Sequence, residues 1–259
     1  MKLQTKKILL IAVWTLLIAG VGVLIFMINA HRQNQICEKI NIQIEGTENN
    51  HFIDSDLVLD YIQSTQIIGN RIENIDASKI ESLLENNPHI KKAEVYKAVD
   101  GAVFIKVWQR KAVMRVFNLD NESYYVDEEN MKMPLSENFT ARVAVCNGNI
   151  SEKCTKCDTI NSNILKTCAG IAQYVHKTPF WFSSIEQIFV TSDSVIVLTT
   201  KLGDMKVVFG DANDIEGKFE RLLAFYKQAL PKAGWEKYSS IDVSFANQIV
   251  AKKKMANIE

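Results

Sequence analysis

Residues 90–110 read IKKAEVYKAVDGAVFIKVWQR, and this stretch predicts a β-hairpin. Apolar and polar side chains alternate on both sides of the Asp100-Gly101 pair, over residues 95–99 and 103–107. Alternation with a period of two is typical of a strand with one buried face. The Asp-Gly pair supplies the positive φ angles that a tight hairpin turn needs. We therefore expect two antiparallel strands joined at this pair.

The residues upstream of the hairpin predict one strand and two helices. Residues 40–46, INIQIEG, alternate in polarity and end at a glycine, as a half-buried strand does. Asp54 or Ser55 can cap the helix that follows. Asp76 can cap a second helix, which Pro88 ends because proline lacks the amide proton that a helix interior needs. The predicted order of this first unit is strand, helix, helix, strand, strand.

The residues downstream of the hairpin predict a second α+β unit, with a mostly antiparallel sheet and helices on one face. Apolar stripes at helical spacing predict helices over residues 164–175 and 215–226. Asn147-Gly148 is typical of a turn. The last strand is predicted as one continuous run over residues 241–250. The other predicted strands are residues 113–119, 123–126, 141–145, 185–190, 194–199 and 205–209.

Near the amino terminus, residues 8–28 read ILLIAVWTLLIAGVGVLIFMI and carry no charge. A helix of this length would extend about 31 Å, close to the thickness of a bilayer hydrocarbon core. Lys2, Lys6 and Lys7 precede the stretch and favour a cytoplasmic amino terminus. A cleaved signal peptide is the alternative, but its apolar region normally has about 7–15 residues. We expect one uncleaved span, with residues 31–259 outside the cytoplasm.

Composition argues against several classes of function. All 30 acidic residues follow the apolar stretch, whereas three of the 30 basic residues precede it. The outer part is therefore mildly acidic, which argues against a nucleic-acid partner, since such a partner binds a basic surface. The four histidines are scattered, and neither a phosphate-binding glycine loop nor a His-Glu-x-x-His motif occurs. We expect no enzyme activity, no catalytic residue, no cofactor and no small-molecule substrate.

Four cysteines, Cys146, Cys154, Cys157 and Cys168, fall close together, and Cys37 stands apart. Outside the cytoplasm cysteines usually form disulfides, so one or two disulfides within this group are the preferred interpretation. Four thiolates can also close a zinc site, but only one Cys-x2-Cys pair is present, and we expect no metal. Free thiols are the third alternative. Spacing alone does not identify which cysteines would pair.

Several segments resemble the FtsQ family of bacterial cell-division proteins. The strand-helix-helix-strand-strand order after a single anchor resembles a POTRA domain, and Ile105–Arg110 fits the phrase I-x-V-x-Q-R that ends this domain in the family. Lys111-Ala112 stands where the family usually has a proline. The matching segments are INIQIEG at 40–46, IDASKIESLLENNPHIKKAEV at 75–95, VFIKVWQRKAV at 103–113, VVFGDANDIEGKFERLLAFYKQAL at 207–230 and IDVSFANQIVAKKK at 241–254.

Together with the apolar stretch, this resemblance implies a division of the chain and a location. The protein would be a single-pass inner-membrane protein with a cytoplasmic amino terminus and its bulk in the periplasm. The expected parts are a cytoplasmic tail at residues 1–7, a transmembrane helix at 8–28, a POTRA domain at 37–111, an FtsQ-type β-domain at 112–251 and a basic tail at 252–259.

The resemblance also implies a scaffold that binds FtsB- and FtsL-like division proteins. The implied mode is addition of a partner strand to the last strand, because an edge strand has unpaired N–H and C=O groups. The family's aromatic contact aligns with Phe245, and it usually has arginine and tyrosine where this chain has Ser244 and Phe245. The expected binding residues are Ser244, Phe245, Ala246, Asn247, Gln248, Ile249 and Val250.

Two other functions remain open from the sequence. A POTRA-bearing membrane protein of outer-membrane export would share the first unit. A membrane-tethered thiol or zinc protein would instead use Cys146, Cys154, Cys157 and Cys168.

Overall fold

The computed structural model of the protein describes residues 13–24, 35–46, 51–98, 100–155 and 157–254. The chain divides into two compact units. The first comprises Met1–Glu45 and Ile53–Gln109, and the second comprises Gly46–Phe52 and Arg110–Glu259.

The described part of the amino-terminal stretch is helical. Residues 13–24 form helix α1, whose apolar side chains are largely exposed, with Leu16 at 78%. The rest of the predicted span, residues 8–12 and 25–28, lies outside the described residues, as does the predicted tail at 1–7. Within the residues that the structure describes, no helix combines the length and the apolar character needed for a bilayer crossing.

The first unit is a three-stranded sheet with two helices, in the predicted order. Its elements are β1 (Lys39–Glu45), α2 (Ser55–Ile62), α3 (Ala77–Glu85), β2 (Ile90–Lys97) and β3 (Ala102–Gln109). The middle strand is β3, which pairs in parallel with β1 and antiparallel with β2. This arrangement agrees with the order expected from the resemblance to a POTRA domain.

Aspartate side chains begin both helices of this unit, as predicted. The Asp54 carboxylate accepts a hydrogen bond from Leu57 N at 2.8 Å, and the Asp76 carboxylate accepts one from Lys79 N at 3.1 Å. Each bond satisfies an amide group that the first helical turn leaves without a backbone acceptor. At the hairpin turn Gly101 has φ +86°, a conformation that glycine adopts without steric cost.

Helix α3 also closes the outer edge of β2. Glu81 Oε1 accepts a hydrogen bond from Val95 N at 2.7 Å, and Glu85 Oε1 accepts one from Ala93 N at 3.0 Å. Because β2 is an outer strand, these N–H groups face no neighbouring strand in the sheet. The two carboxylates satisfy them instead.

The second unit contains a nine-stranded mixed sheet with helices. Its elements are β4 (Ala112–Phe117), β5 (Ser123–Asp127), β6 (Lys132–Met133), β7 (Ala144–Gly148), α4 (Asn163–Lys177), α5 (Pro179–Ser184), β8 (Ile185–Val190), β9 (Ile196–Thr200), β10 (Lys206–Gly210), α6 (Ile215–Gln228), α7 (Leu230–Ala233), β11 (Tyr238–Asp242) and β12 (Val250–Lys253). The strand order is β12-β11-β10-β9-β8-β7-β4-β5-β6. Neighbours are antiparallel except for β10–β11, β4–β7 and β7–β8. The predicted mixed α+β class with a large sheet is confirmed.

One hydrophobic core joins α4 and α6 to this sheet. Ile196 and Leu198 of β9 are fully buried, whereas Val197 between them is half-buried. The buried side chains of β9 share a cluster with Ile171 of α4 and Phe219 of α6. Alternation along the strand thus places one face of the sheet in this core.

The predicted turn at Asn147-Gly148 is wrong, because both residues belong to β7. The pairing of β7 with β8 continues to Gly148, which lies opposite Val190. Gly148 has φ +103°, and a Cβ atom there would lie 2.1 Å from the Val190 carbonyl oxygen. Glycine is needed at this position for close approach of two backbones, not for reversal of the chain.

The continuous final strand predicted over residues 241–250 is also wrong. Strand β11 ends at Asp242, and β12 begins at Val250. Ser244 donates hydrogen bonds from N and Oγ to Asp242 Oδ1, at 2.9 and 2.6 Å, and Asn247 adopts φ +61°. These local bonds and the left-handed residue reverse the chain, so that β12 returns antiparallel to β11.

Candidate functional site

The nine-stranded sheet has two outer strands, β6 and β12. Exposed backbone groups of an outer strand are the groups with which another chain can pair. At the β6 end, the strand is contacted by part of the connection between β7 and α4, of which residues 149–155 and 157–162 are described and which we call the covering segment. Lys132 N donates a hydrogen bond to Asp158 O at 2.9 Å, and Met131 forms an antiparallel bridge with Thr159. The chain's own backbone therefore occupies this end of the sheet.

The Lys132 side chain, which is only 4% exposed, binds the covering segment through ion pairs and a hydrogen bond. Its Nζ lies 2.8 Å from Asp158 Oδ1 and 3.2 Å from Glu152 Oε1, and it donates to Lys153 O at 3.1 Å. Desolvation alone would lower the pKa of Lys132, but the hydrogen bonds to Asp158 and Glu152 outweigh it and raise that pKa. The ammonium group thus stays charged in a buried position.

Glu152 links this lysine to the start of α4. Its carboxylate accepts hydrogen bonds from Asn161 N and Ser162 N, both at 2.9 Å, as well as from Lys132. Burial would raise the pKa of Glu152, but the two backbone donors and Lys132 overcome that effect and lower the pKa. One carboxylate therefore joins β6, the covering segment and the helix start.

At the other end of the sheet, β12 presents one open backbone edge among the described residues. Lys254 N donates to Lys237 O at 2.9 Å, so this amide faces the β11 side. Backbone groups of successive residues in an antiparallel strand point to opposite sides. Those of Lys252 therefore also face β11, and those of Ala251 and Lys253 face away from the sheet.

The pairing of β11 with its other neighbour gives the same direction. Val243 N donates to Val208 O, on the β10 side, at 3.0 Å. By alternation, the backbone groups of Asp242 and Ser240 face β12, and these residues lie opposite Val250 and Lys252. Two independent bonds thus identify Ala251 and Lys253 as the residues with outward-facing N–H and C=O groups.

Most of the predicted binding residues lie beside this edge, not in it. Residues 244–249 form the connection between β11 and β12, and Val250 is the first residue of β12. Phe245 and Val250 are 48% and 49% exposed, whereas Ile249 packs partly against the core. Their role in binding stays a prediction.

Sequence reasoning missed the residues that carry the open edge. Lys252 and Lys253 are exposed. The Lys254 ammonium Nζ lies 3.7 Å from Asp204 Oδ2 and 3.6 Å from Glu236 Oε2. Lysines are common on edge strands because they discourage unwanted pairing, so the run at 252–254 was the available signal. Of the predicted tail, residues 255–259 lie outside the described part of the chain.

The structure separates the four clustered cysteines into two locations. All five cysteines of the protein are thiols in this structure. Cys146 of β7 and Cys168 of α4 are fully buried, and the neighbouring Cys168 together with burial raises the pKa of Cys146. Cys154 and Cys157 lie in the covering segment, the second of them exposed. Among the residues described, no group of three or more His, Cys, Asp or Glu side chains is placed to hold a metal.

Comparison with known families identifies both units. The family model described as FtsQ/DivIB, C-terminal related, matches residues 111–252, which is more than half of the chain. A POTRA-like domain model matches residues 35–108. No curated protein matches the chain. The resemblance predicted from the sequence segments is therefore confirmed.

Proposed function

Because the chain belongs to the FtsQ/DivIB C-terminal related family and carries a POTRA-like domain, we propose that it is a membrane-anchored scaffold of the bacterial division machinery. Domains of these two kinds are non-catalytic scaffold domains. The FtsQ/DivIB family implies protein–protein interactions within the division machinery. The protein therefore acts by binding other proteins.

The proposed binding surface is the open edge of β12, and the proposed partner is an FtsB-like protein bound to an FtsL-like one. The outward backbone groups of Ala251 and Lys253 carry this proposal. A partner strand would gain main-chain hydrogen bonds there, and such bonds supply affinity in strand addition. The opposite end of the sheet supports the choice, since the covering segment already occupies β6.

Charge favours a partner strand with acidic side chains. Lys252 and Lys253 are exposed along β12. Complementary charge at the edge of an interface speeds encounter and fixes register. The exposed Phe245 and Val250 offer apolar contacts next to the strand.

The proposed location is the inner membrane, with both units outside the cytoplasm. The uncharged residues 8–28 and the preceding lysines support a single span of this orientation. This location would place both units in the periplasm.

The first experiment compares two changes at one position, Lys253→Pro and Lys253→Ala. Proline removes the outward N–H but leaves the inward pairing with β11 intact, and edge strands tolerate it. Alanine removes the charge and keeps the N–H. Binding of the full-length protein in detergent to the periplasmic segment of an FtsB-like protein from the same genome is measured by titration. We expect Lys253→Pro to weaken binding at least about tenfold more than Lys253→Ala does.

A third variant tests the side chains beside the edge. Phe245→Lys should weaken binding if the connection before β12 contributes contacts. Truncation after Ser240 is unsuitable, because it removes Ile241 and Val243, which are fully buried. Equal affinity of the proline and alanine variants would refute strand addition at β12 while leaving the scaffold function in place.

A further inference from the structure

The core of the second unit contains a pair of cysteines that partner binding does not use. Cys146 lies in β7 and Cys168 in α4, and neither thiol is accessible to solvent. Both side chains belong to the same buried hydrophobic cluster, and Cys168 is the neighbouring group that raises the pKa of Cys146. Two neighbouring cysteine side chains within one core meet the first requirement for a disulfide, since the bond joins only side chains whose backbones lie close together.

The other cysteines do not compete for these two. Cys154 and Cys157 lie in the covering segment, where the first is half-buried and the second is exposed. Cys37 belongs to the first unit. The folded chain therefore singles out one of the possible pairings of the cluster, although the spacing along the sequence does not.

We propose that Cys146 and Cys168 form a disulfide when the chain folds outside the cytoplasm, joining β7 to α4 through the core. The oxidant is a dithiol–disulfide exchange protein or oxidised glutathione. The inference rests on the location given under the proposed function.

The chemistry is two successive thiol–disulfide exchanges. One cysteine thiolate attacks a sulfur of the oxidant, forming a mixed disulfide and releasing the other oxidant sulfur as a thiolate. The second cysteine thiolate then attacks the protein sulfur of that mixed disulfide, forming the Cys146–Cys168 bond and releasing the second oxidant thiolate. The protein gives up two electrons and two protons, and the disulfide of the oxidant is reduced to two thiols, which are a dithiol in an exchange protein and two glutathione molecules in the case of oxidised glutathione.

Burial of the two thiols determines the stage of folding at which this reaction occurs. The hydrogen bond with Cys168, together with burial, raises the pKa of Cys146 well above its ordinary value. A buried protonated thiol is a poor nucleophile. The bond therefore forms while α4 is still open to solvent, before it packs against the sheet. Once formed, it is inaccessible to reductants in the folded protein.

The bond would also tie together the two ends of the covering segment. Cys146 precedes residues 149–162 and Cys168 follows them. The segment that occupies β6 would then be held by the Lys132 interactions and by a covalent link between its flanks.

Refolding of the full-length protein tests the proposal. The chain is unfolded and reduced, refolded in detergent with a glutathione redox buffer, unfolded again with an alkylating agent and digested with trypsin without reduction. We expect a cross-linked pair of peptides, VAVCNGNISEK at residues 143–153 and TCAGIAQYVHK at residues 167–177. Recovery of both peptides in alkylated form, or of either linked to another cysteine peptide, overturns the proposal.

Two double variants and a stability measurement show whether the cross-link is specific to Cys146 and Cys168. Cys154→Ser with Cys157→Ser should leave the cross-linked pair unchanged, whereas Cys146→Ala with Cys168→Ala should abolish it. The oxidised protein should unfold about 5–10 °C above the reduced protein. Partner binding is measured on the same samples. If Cys146 and Cys168 are both alkylated while the partner still binds, the disulfide is overturned and the proposed function stands. If the two cysteines are cross-linked while the partner does not bind, the proposed function is overturned and the disulfide stands.

Discussion

At the scale of single residues, two glycines of the second unit have opposite surroundings. Gly148 of β7 lies against the Val190 carbonyl oxygen, where a Cβ would be 2.1 Å away. Gly170 of α4 has room for a methyl group, since its nearest neighbour would be Ile215 Cδ1 at 3.5 Å. The same residue type is therefore required at one position and replaceable at the other.

Gly148→Ala should destabilise the second unit by about 3 kcal/mol or more, since the methyl group strains a positive φ and meets backbone that cannot move freely. Gly170→Ala is the matched control. It should change the free energy of unfolding by no more than about 1 kcal/mol, in the stabilising direction, because alanine favours a helix interior. Urea unfolding of the two variants measures both effects. Equal stability of the two variants would contradict the close approach of β7 and β8.

Lys132→Met should lower the free energy of unfolding by about 3 kcal/mol, because Glu152 would keep a largely buried negative charge without the ammonium group that neutralises it. Lys153→Met is the control. Lys153 Nζ lies 2.8 Å from Asp120 Oδ2, but both side chains are roughly half exposed. Loss of this ion pair should therefore cost less than about 1 kcal/mol of stability. Urea unfolding again provides the measurement. A Lys132→Met protein as stable as the control would show that the covering segment is held by its backbone bonds alone.

Glu152 should also contribute to stability in a pH-dependent way. Its pKa is lower in the folded chain than its ordinary value, so the stabilisation is present above that ordinary value and is lost as the pH falls through the folded pKa. Between about pH 5 and pH 3 the unfolding free energy of the native protein should therefore fall more steeply than that of Glu152→Gln. Thermal unfolding at several pH values gives the two slopes. Parallel slopes would exclude Glu152 as the group responsible.

At the scale of elements, the strands and helices follow from local patterns, but the edges of the sheets do not. The Asp54 and Asp76 caps, the hairpin at Gly101 and the stripe of α6 were predictable, since each depends on residues near one another in the chain. The closure of β2 by Glu81 was not, because its acceptor and donor lie on different elements.

The end of the chain shows the same limit on prediction. Apolar and polar residues alternate over residues 241–245, yet Ser244 and Asn247 reverse the chain before residue 250. A period of two does not distinguish one long strand from two strands joined by a tight connection. Hydrogen bonds to a side chain, such as those that Ser244 donates to the Asp242 carboxylate, decide between the two. The residues predicted to bind a partner therefore lie mostly in the connection before β12, and their role stays a prediction.

Reversing the charge of β12 should weaken partner binding through a loss of complementarity. Lys252→Glu with Lys253→Glu should raise the dissociation constant about tenfold at low salt, and the difference should shrink as salt screens the charges. Lys227→Glu with Lys232→Glu changes the net charge equally on exposed positions of α6 and α7. Titrations at two salt concentrations compare the pairs. Equal losses in both pairs would show that only the overall charge matters.

At the scale of the whole molecule, class and family were within reach of the sequence, whereas strand order was not. The matches at residues 35–108 and 111–252 agree with the predicted resemblance. The position of β7 between β4 and β8 joins strands far apart in the chain. Such pairings depend on tertiary packing, which no local pattern encodes.

The location of the protein gives a prediction at this scale. The full chain should sediment with membranes and resist extraction with alkaline carbonate, because residues 8–28 are apolar enough to span a bilayer. A chain that lacks residues 1–30 should be released. Exchange of Thr15 for Val is a control that should leave the distribution unchanged. Release of the full chain by carbonate would argue against a spanning segment.

The two unlike ends of the nine-stranded sheet have a consequence for assembly. Among the described residues of this sheet, the covering segment contacts β6, whereas Ala251 and Lys253 of β12 have outward-facing backbone groups. A partner strand that adds to β12, as proposed, would occupy that edge. The expected stoichiometry at this sheet is then one strand donor per copy.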